Sequence, residues 1–177
     1  EERLAPHFHL SAQSGDDMIL KRMKRRHGRA DTVAFCETVR RLRPDVAFGA
    51  DLIAGFPTET ESMFENTLQL VDDAGLSYLH VFPFSPRKGT PAARMPQLPK
   101  PVIKERAAQL RAKGATALSA RLGSLIGTEQ TLLVEKEAHA RTACFAQVKF
   151  GSLQAAGSFV RARITAATPT HLIAAPA

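Results

Sequence analysis

No run of about 18 uninterrupted apolar residues occurs in the chain, so no transmembrane helix is expected. Cysteine is scarce: Cys36 and Cys144 stand far apart and in no ligand-like pattern. They read as reduced, buried thiols of a cytoplasmic protein rather than as a disulfide framework. A Walker loop, a dinucleotide-binding glycine fingerprint and a nucleophile elbow are all missing, which removes the reactions those motifs announce. The chain opens without a charged-then-apolar leader, and it holds no internal repeat or low-complexity tract. What remains is an ordinary globular composition. Its 177 residues are 44% hydrophobic and 23% charged, enough for one good core or two small ones.

The net charge of +7 permits a polyanionic partner without requiring one. Its distribution is more informative. Residues 51–76 carry the acids Asp51, Glu59, Glu61, Glu65, Asp72 and Asp73 and no Lys or Arg, whereas residues 77–177 hold 14 basic and 4 acidic residues. An acidic half next to a basic half that meets phosphate fits this asymmetry, and so does a solvated basic surface.

Periodicity divides the chain near Gly127. Before it, strand-like runs at Phe8–Ala12, Val46–Phe56 and Tyr78–Phe84 alternate with helical patterns, the signature of parallel βαβ units. A turn at Gln13–Asp17 caps a helix over Met18–Arg26. Asp31 is placed as the N-cap of the next helix, with Phe35, Val39 and Leu42 as its apolar stripe, ended by Pro44. Thr58 to Glu61 has capping-box spacing ahead of the stripe Phe64, Leu68 and Val71. Val46–Phe56 and Tyr78–Phe84 are expected to be buried. A proline-punctuated loop then leads to a long helix from Pro101, stepping through Ile103, Ala107, Leu110, Gly114, Ala117, Arg121 and Leu125. Arg121 interrupts this apolar face, so it snorkels or the helix bends. Beyond Gly127, short strands at Gln130–Val134, Ala143–Lys149, Phe159–Thr165 and His171–Ala174 predict a small antiparallel barrel or sandwich.

Ligands of parallel α/β sheets bind at the carboxyl ends of the strands. The polar groups leaving those ends are Ser11, Gln13 and Ser14, then Thr58 and Glu59, then Ser85 and Arg87. Asp51 lies inside an apolar strand and needs a partner. It faces a cavity and binds a polar ligand, or it pairs with an Arg. Arg87 suits a carboxylate or phosphate, unless it is simply a solvated loop residue. The glycine of Gly55-Phe56-Pro57 lets a flat ligand approach the backbone. His7 and His9 project from one side of a strand and could suit a metal, but no third ligand is evident, so they read first as core or cavity histidines; His80 reads as structural. Lys21–Arg26 is a solvated helix face or a phosphate contact.

Taken together, several segments resemble the radical-SAM tRNA methylthiotransferases. His9-Leu10-Ser11-Ala12-Gln13-Ser14-Gly15 with Leu20–Arg26 is similar to that family's HLPxQSG…LKxMxRx segment, with Ser11 where Pro is usual. Asp51–Thr60 resembles DxIxGFPxET, and Phe84–Ala92 resembles YSPRxGTxA. Residues 128–177, with Leu133-Val134-Glu135 and Gly157–Ile164, resemble the family's RNA-binding TRAM domain, although a usual Gly is lacking around Ala140-Arg141-Thr142. Within the family, the Met-Lys-Arg-Arg-His run and the short TRAM-like segment are most similar to the threonylcarbamoyladenosine tRNA methylthiotransferases (MtaB-type).

The resemblance implies an α/β chain in two parts. Residues 1–127 would be the C-terminal part of a radical-SAM partial (β/α) barrel with a long connecting helix, and 128–177 a TRAM-like β-barrel. It implies S-adenosylmethionine and [4Fe–4S] clusters as cofactors, tRNA as partner, and methylthio transfer to an N6-modified adenosine next to the anticodon. Gln13, Ser14, Asp51 and Arg87 would belong to the cofactor or substrate cavity. Lys136, Arg141, Lys149, Arg161 and Arg163 would meet tRNA phosphates, with Phe145, Phe150 and Phe159 as the candidates for base stacking. The family's CxxxCxxC triplet and its N-terminal domain do not occur in these residues. The chain is therefore read as the C-terminal portion of such an enzyme, inactive alone because two distant cysteines cannot replace three local ones. The competing reading is a non-catalytic RNA-binding module on an α/β scaffold. Iron content and S-adenosylmethionine turnover after anaerobic reconstitution separate the two.

Overall fold

The computed structural model describes residues 1 and 3–176. Parallel strands β1 (His7–Gln13), β2 (Ala47–Ala54) and β3 (Leu76–Pro83) form an open sheet in that order. Helices α1 (Asp17–Arg22) and α2 (Arg29–Leu42) connect the first two strands and α3 (Glu61–Asp73) the next two. After β3 comes a 3-10 turn at Pro91–Arg94 and the long helix α4 (Lys100–Gly123). Alternation along β2 sorts its side chains. Phe48, Ala50, Leu52 and Ala54 face the helices and pack with Cys36, Phe64, Leu70, Ala107 and Leu110. Gly49, Asp51 and Ile53 face the other way, onto a surface the helices leave uncovered.

The rest of the chain closes into a five-stranded barrel. Strands β4 (Glu129–Lys136), β5 (His139–Thr142), β6 (Gln147–Phe150), β7 (Phe159–Ala167) and β8 (Leu172–Pro176) run in the order β4-β5-β6-β8-β7. Closure removes the free sheet edges that such short strands would otherwise expose. Among the described residues no helix is long and apolar enough to cross a membrane.

Several local expectations are corrected. The first helix ends at Arg22 rather than Arg26, because Lys24 takes a positive φ and the Arg25 amide turns back to the Leu20 carbonyl. Gly28, not Asp31, caps α2, and the Asp31 carboxylate reaches back to the Gly28 amide at 2.7 Å. The buried face of α2 is Thr32 and Cys36, whereas Phe35 and Leu42 are exposed. Thr60 rather than Thr58 caps α3. β3 is the half-exposed edge of the sheet, and among the described residues no strand lies beyond it to cover Phe82. In the barrel, residues 143–146 form the turn between β5 and β6 instead of part of one strand, and the β6–β8 pair is parallel while the other four pairs are antiparallel. Arg121 snorkels: its guanidinium donates to the Asp45 carbonyl at 2.6 Å.

Sheet and barrel share a core at the amino ends of the strands. Ala47, Tyr78 and Leu118 pack with Leu122, Leu125 and the barrel interior, and the His7 ring lies 4.9 Å from Phe145 and 5.2 Å from Tyr78. The His7 Nδ1 is buried and has no hydrogen-bond partner among the described residues. Burial holds the imidazole below its ordinary pKa; the Cys144 backbone opposes this and the His9 charge adds to it. Protonating His7 therefore opposes folding. Its contribution to stability is complete above the unfolded value of about 6.5 and falls away as the pH drops below it towards the lower folded value. Urea midpoints measured from neutral to mildly acid pH are expected to decline in that window, and less so in His7→Phe. An identical decline in both proteins would remove His7 as a cause.

Candidate functional site

At the carboxyl ends of the sheet, two residues other than glycine take the left-handed backbone region. They are Gln13 at a bulge closing β1, with φ 67°, and Thr58 after β2, with φ 65°. Strain of this kind costs on the order of 1–3 kcal/mol and needs surrounding structure to hold it. At Thr58 that structure is a buried ion pair on the next residue. The Glu59 side chain is fully buried and its Oε2 accepts from the Gly55 amide at 3.0 Å and from the Arg106 Nη1 at 2.9 Å. Arg106 also donates to the Glu59 carbonyl and to Glu61, and its guanidinium lies 5.3 Å from the Phe64 ring centre. Burial raises the Glu59 pKa; the Gly55 amide and Arg106 pull against that rise. The Gly55-Phe56-Pro57-Thr58 exit is thus clamped to α4. Gly55 itself, at φ 76°, lies against Ile103 of that helix, where a Cβ would come within 2.7 Å.

Over these strand ends opens a cavity of about 640 Å³. Gln13, Asp51 and Arg87 all line it, together with Arg25, Ile53, Phe84, Ser85 and Thr90. Three of the four cavity residues expected from the sequence are therefore neighbours, drawn from three different segments. Ser14 is elsewhere. Its hydroxyl is buried against the Thr67 Oγ1 of α3 at 3.2 Å and accepts from the Asp16 amide, so it fastens the turn after β1. Arg25, from the basic run at Lys21–Arg26, reaches the cavity because α1 stops early. The ordinary helical pattern of that run hides this.

Among the described residues Asp51 has no Arg partner. Its Oδ1 lies 2.9 Å from His9 Nε2 and 3.3 Å from His80 Nδ1, on the strands to either side. The His9 and His80 ring centres are 4.4 Å apart. His7 does not share this cluster, being turned into the sheet–barrel junction.

The five basic residues proposed for the barrel differ in their partners. Arg161 and Arg163 leave the same side of β7, with Ala162 buried between them, and both lie near Glu129, at 3.7 and 3.5 Å. Arg141 is paired with Glu135 at 2.7 Å. Lys136 and Lys149 are exposed on β4 and β6, beside His139, and have no ion pair among the described residues. Phe150 belongs to the barrel core, whereas Phe145, with one face on His7, is 48% exposed and Phe159 73%, so both keep an open aromatic face.

Both cysteines are buried, and burial pushes the Cys36 thiol up to about 11. They lie in separate cores, Cys36 under the sheet and Cys144 in the barrel, so these residues do not fit an iron–sulfur cluster.

The profile of the Radical SAM superfamily matches residues 2–71. A threonylcarbamoyladenosine tRNA methylthiotransferase MtaB of Rickettsia prowazekii is 55% identical over 163 residues, 92% of this chain and 39% of that protein. Over most of its length the chain is similar to the radical-SAM tRNA methylthiotransferases. A second MtaB, from Thermotoga maritima, is 41% identical over 75% of the chain and 31% of its own length. A tRNA-2-methylthio-N(6)-dimethylallyladenosine synthase of Cereibacter sphaeroides is 37% identical over 97% of the chain and 41% of its own length. The chain thus spans about two fifths of the length of these methylthiotransferases or less. The α/β sheet and the closed barrel agree with the family's expected architecture.

Proposed function

We propose that this chain is the segment of a tRNA methylthiotransferase that supplies half of the S-adenosylmethionine and substrate cavity, together with an RNA-binding barrel. Residues 1–127 form the first unit and 128–177 the second. The single observation that carries the reading is the meeting of Gln13, Asp51 and Arg87 on one cavity, in a chain 55% identical to an MtaB. A guanidinium, a carboxylate and a carboxamide suit a zwitterionic ligand such as S-adenosylmethionine: Arg87 and Arg25 meet its carboxylate and Asp51 its cationic end. The substrate is an N6-modified adenosine beside a tRNA anticodon, threonylcarbamoyladenosine by likeness to the MtaB relatives. S-adenosylmethionine bound at a [4Fe–4S] cluster supplies the radical chemistry. The thiolates that hold the cluster come from sequence outside these residues, and the cytoplasm is the compartment that keeps such thiols reduced.

On the barrel, Lys136 and Lys149 are the residues ready to meet phosphate. Arg141, Arg161 and Arg163 first have to exchange their carboxylate partners for tRNA. The test uses the longer enzyme containing this segment, reconstituted anaerobically and given tRNA that lacks the methylthio group. Methylthio-nucleoside is expected by mass spectrometry. Arg87→Ala is expected to raise the S-adenosylmethionine concentration needed for half-maximal rate by about tenfold, the equivalent of roughly 1.4 kcal/mol, with tRNA affinity unchanged. A reconstituted enzyme that modifies no adenosine, or an Arg87→Ala variant with unaltered kinetics, would overturn the corresponding assignment.

A further inference from the structure

From the geometry of the uncovered sheet face, we infer that His9, Asp51 and His80 form a binding site for a divalent transition metal. Each comes from a different strand, and the three strands are adjacent. Asp51 is in register with His80, and His9 pairs with Gly49, one alternation before Asp51. All three side chains leave the sheet on the same side. Their ligating atoms, His9 Nε2, an Asp51 carboxylate oxygen and His80 Nδ1, lie within 4.8 Å of one another. Bonds of about 2.0–2.2 Å to one ion require separations near those observed here, 2.9 and 3.3 Å across the carboxylate.

The support under the trio is rigid. Ala50 and Leu52, flanking Asp51 on β2, are wholly buried on the helix side of the sheet. Gly49 gives His9 its place: a Cβ at that position would lie 2.5 Å from the His9 Nδ1 and 2.9 Å from the Tyr78 carbonyl oxygen. A larger residue at position 49 would push the ring off the carboxylate. The trio is also open. The His80 side chain is 64% exposed, and Asp51 borders the large cavity, so an ion bound by three protein ligands keeps positions for water or an added ligand. No Lys or Arg pairs with Asp51 among the described residues, so no cation already holds that carboxylate.

Two imidazoles and one carboxylate favour zinc, cobalt or nickel over magnesium or calcium, which prefer all-oxygen sites. The inference stands on these three side chains; since Asp51 is also assigned above to the cationic end of S-adenosylmethionine, an ion and that ligand compete for its carboxylate. The iron–sulfur chemistry above could fail while this site binds, or the reverse.

The test takes the chain as it is, stripped of metal, and titrates it with Co²⁺ alone and then with Zn²⁺ alone. The expected result is one equivalent of cobalt with visible d–d absorption, displaced by zinc, and a thermal midpoint that rises with zinc concentration. His80→Ala removes the most exposed member, so the fold should persist, and circular dichroism checks it. That variant and Asp51→Asn are each expected to lose more than about a hundredfold in affinity, beyond the range seen when only an outer partner of a ligand is removed. His139→Ala, on the barrel, is expected to bind as the parent does. No saturable cobalt binding, or equal affinity in folded His80→Ala and the parent, would overturn the assignment.

Discussion

Arg106→Met is expected to lower the unfolding free energy by about 3–5 kcal/mol, the range for breaking a buried ion pair from one side. The loss exceeds that of any surface ion pair because the Glu59 side chain has no exposure to water. Without the guanidinium, Glu59 must take up a proton or remain charged in the core, and its Gly55 contact and the Thr58 turn lose their anchor. Urea denaturation measures the effect. The double variant Glu59→Leu with Arg106→Met should recover much of the loss, because it leaves no orphaned charge. A single-variant loss under about 1 kcal/mol would place Arg106 with ordinary surface pairs.

Gly15→Ala is the second large effect. A Cβ there would lie 2.6 Å from the Thr67 Cα and closer still to the Asn66 carbonyl oxygen. Both obstacles are backbone, so no side-chain rotation relieves them. The turn after β1 or the whole of α3 has to move, which puts the cost at the upper end of the roughly 1–3 kcal/mol usual for overpacking. Movement there also disturbs the Ser14–Thr67 hydrogen bond and the Asp16 cap of α1. A matched control is Gly123→Ala: nothing lies within 4 Å of its added methyl, and helix propensity favours Ala. Thermal melts of the two variants should therefore differ by several degrees, and equal midpoints would show that the turn yields freely.

What could be read from the sequence followed from local pattern. The βαβ order, the long helix after Pro101 and the change of period near Gly127 all depend on residues within one or two turns of each other. Gln13, Asp51 and Arg87 could be nominated because each leaves, or interrupts, an apolar run. The partners of Asp51 could not. His9 and His80 are 42 and 29 positions away by number and meet it only through strand register, so the sequence left a cavity-facing carboxylate and an Arg pair both open. Arg106 was hidden for the opposite reason: a lone Arg on an amphipathic helix looks solvated until the strand exit that covers it is known. Ser14 illustrates a false neighbour. One residue beyond Gln13, it follows a positive-φ turn that sends its hydroxyl under the sheet's helices. On the barrel, Phe150 was misjudged as a stacking surface because its alternation within β6 places it inside.

The long helix α4 is also a strut of fixed length. Its 24 residues span about 36 Å at 1.5 Å each. Near one end Ile103 bears on Gly55 at the exit of β2, and at the other Leu122 is sunk in the barrel's core. Between them Gly114 sits so close on Leu79 that a Cβ would come within 2.9 Å, which makes the middle of the rod a fulcrum against the sheet. The helix therefore acts as a ruler between whatever the barrel holds and whatever the cavity holds. One residue inserted between Gly114 and Leu122 would advance the barrel by about 1.5 Å and swing it by roughly 100°. A polymer gripped at the far end would then no longer deliver the same unit to the cavity.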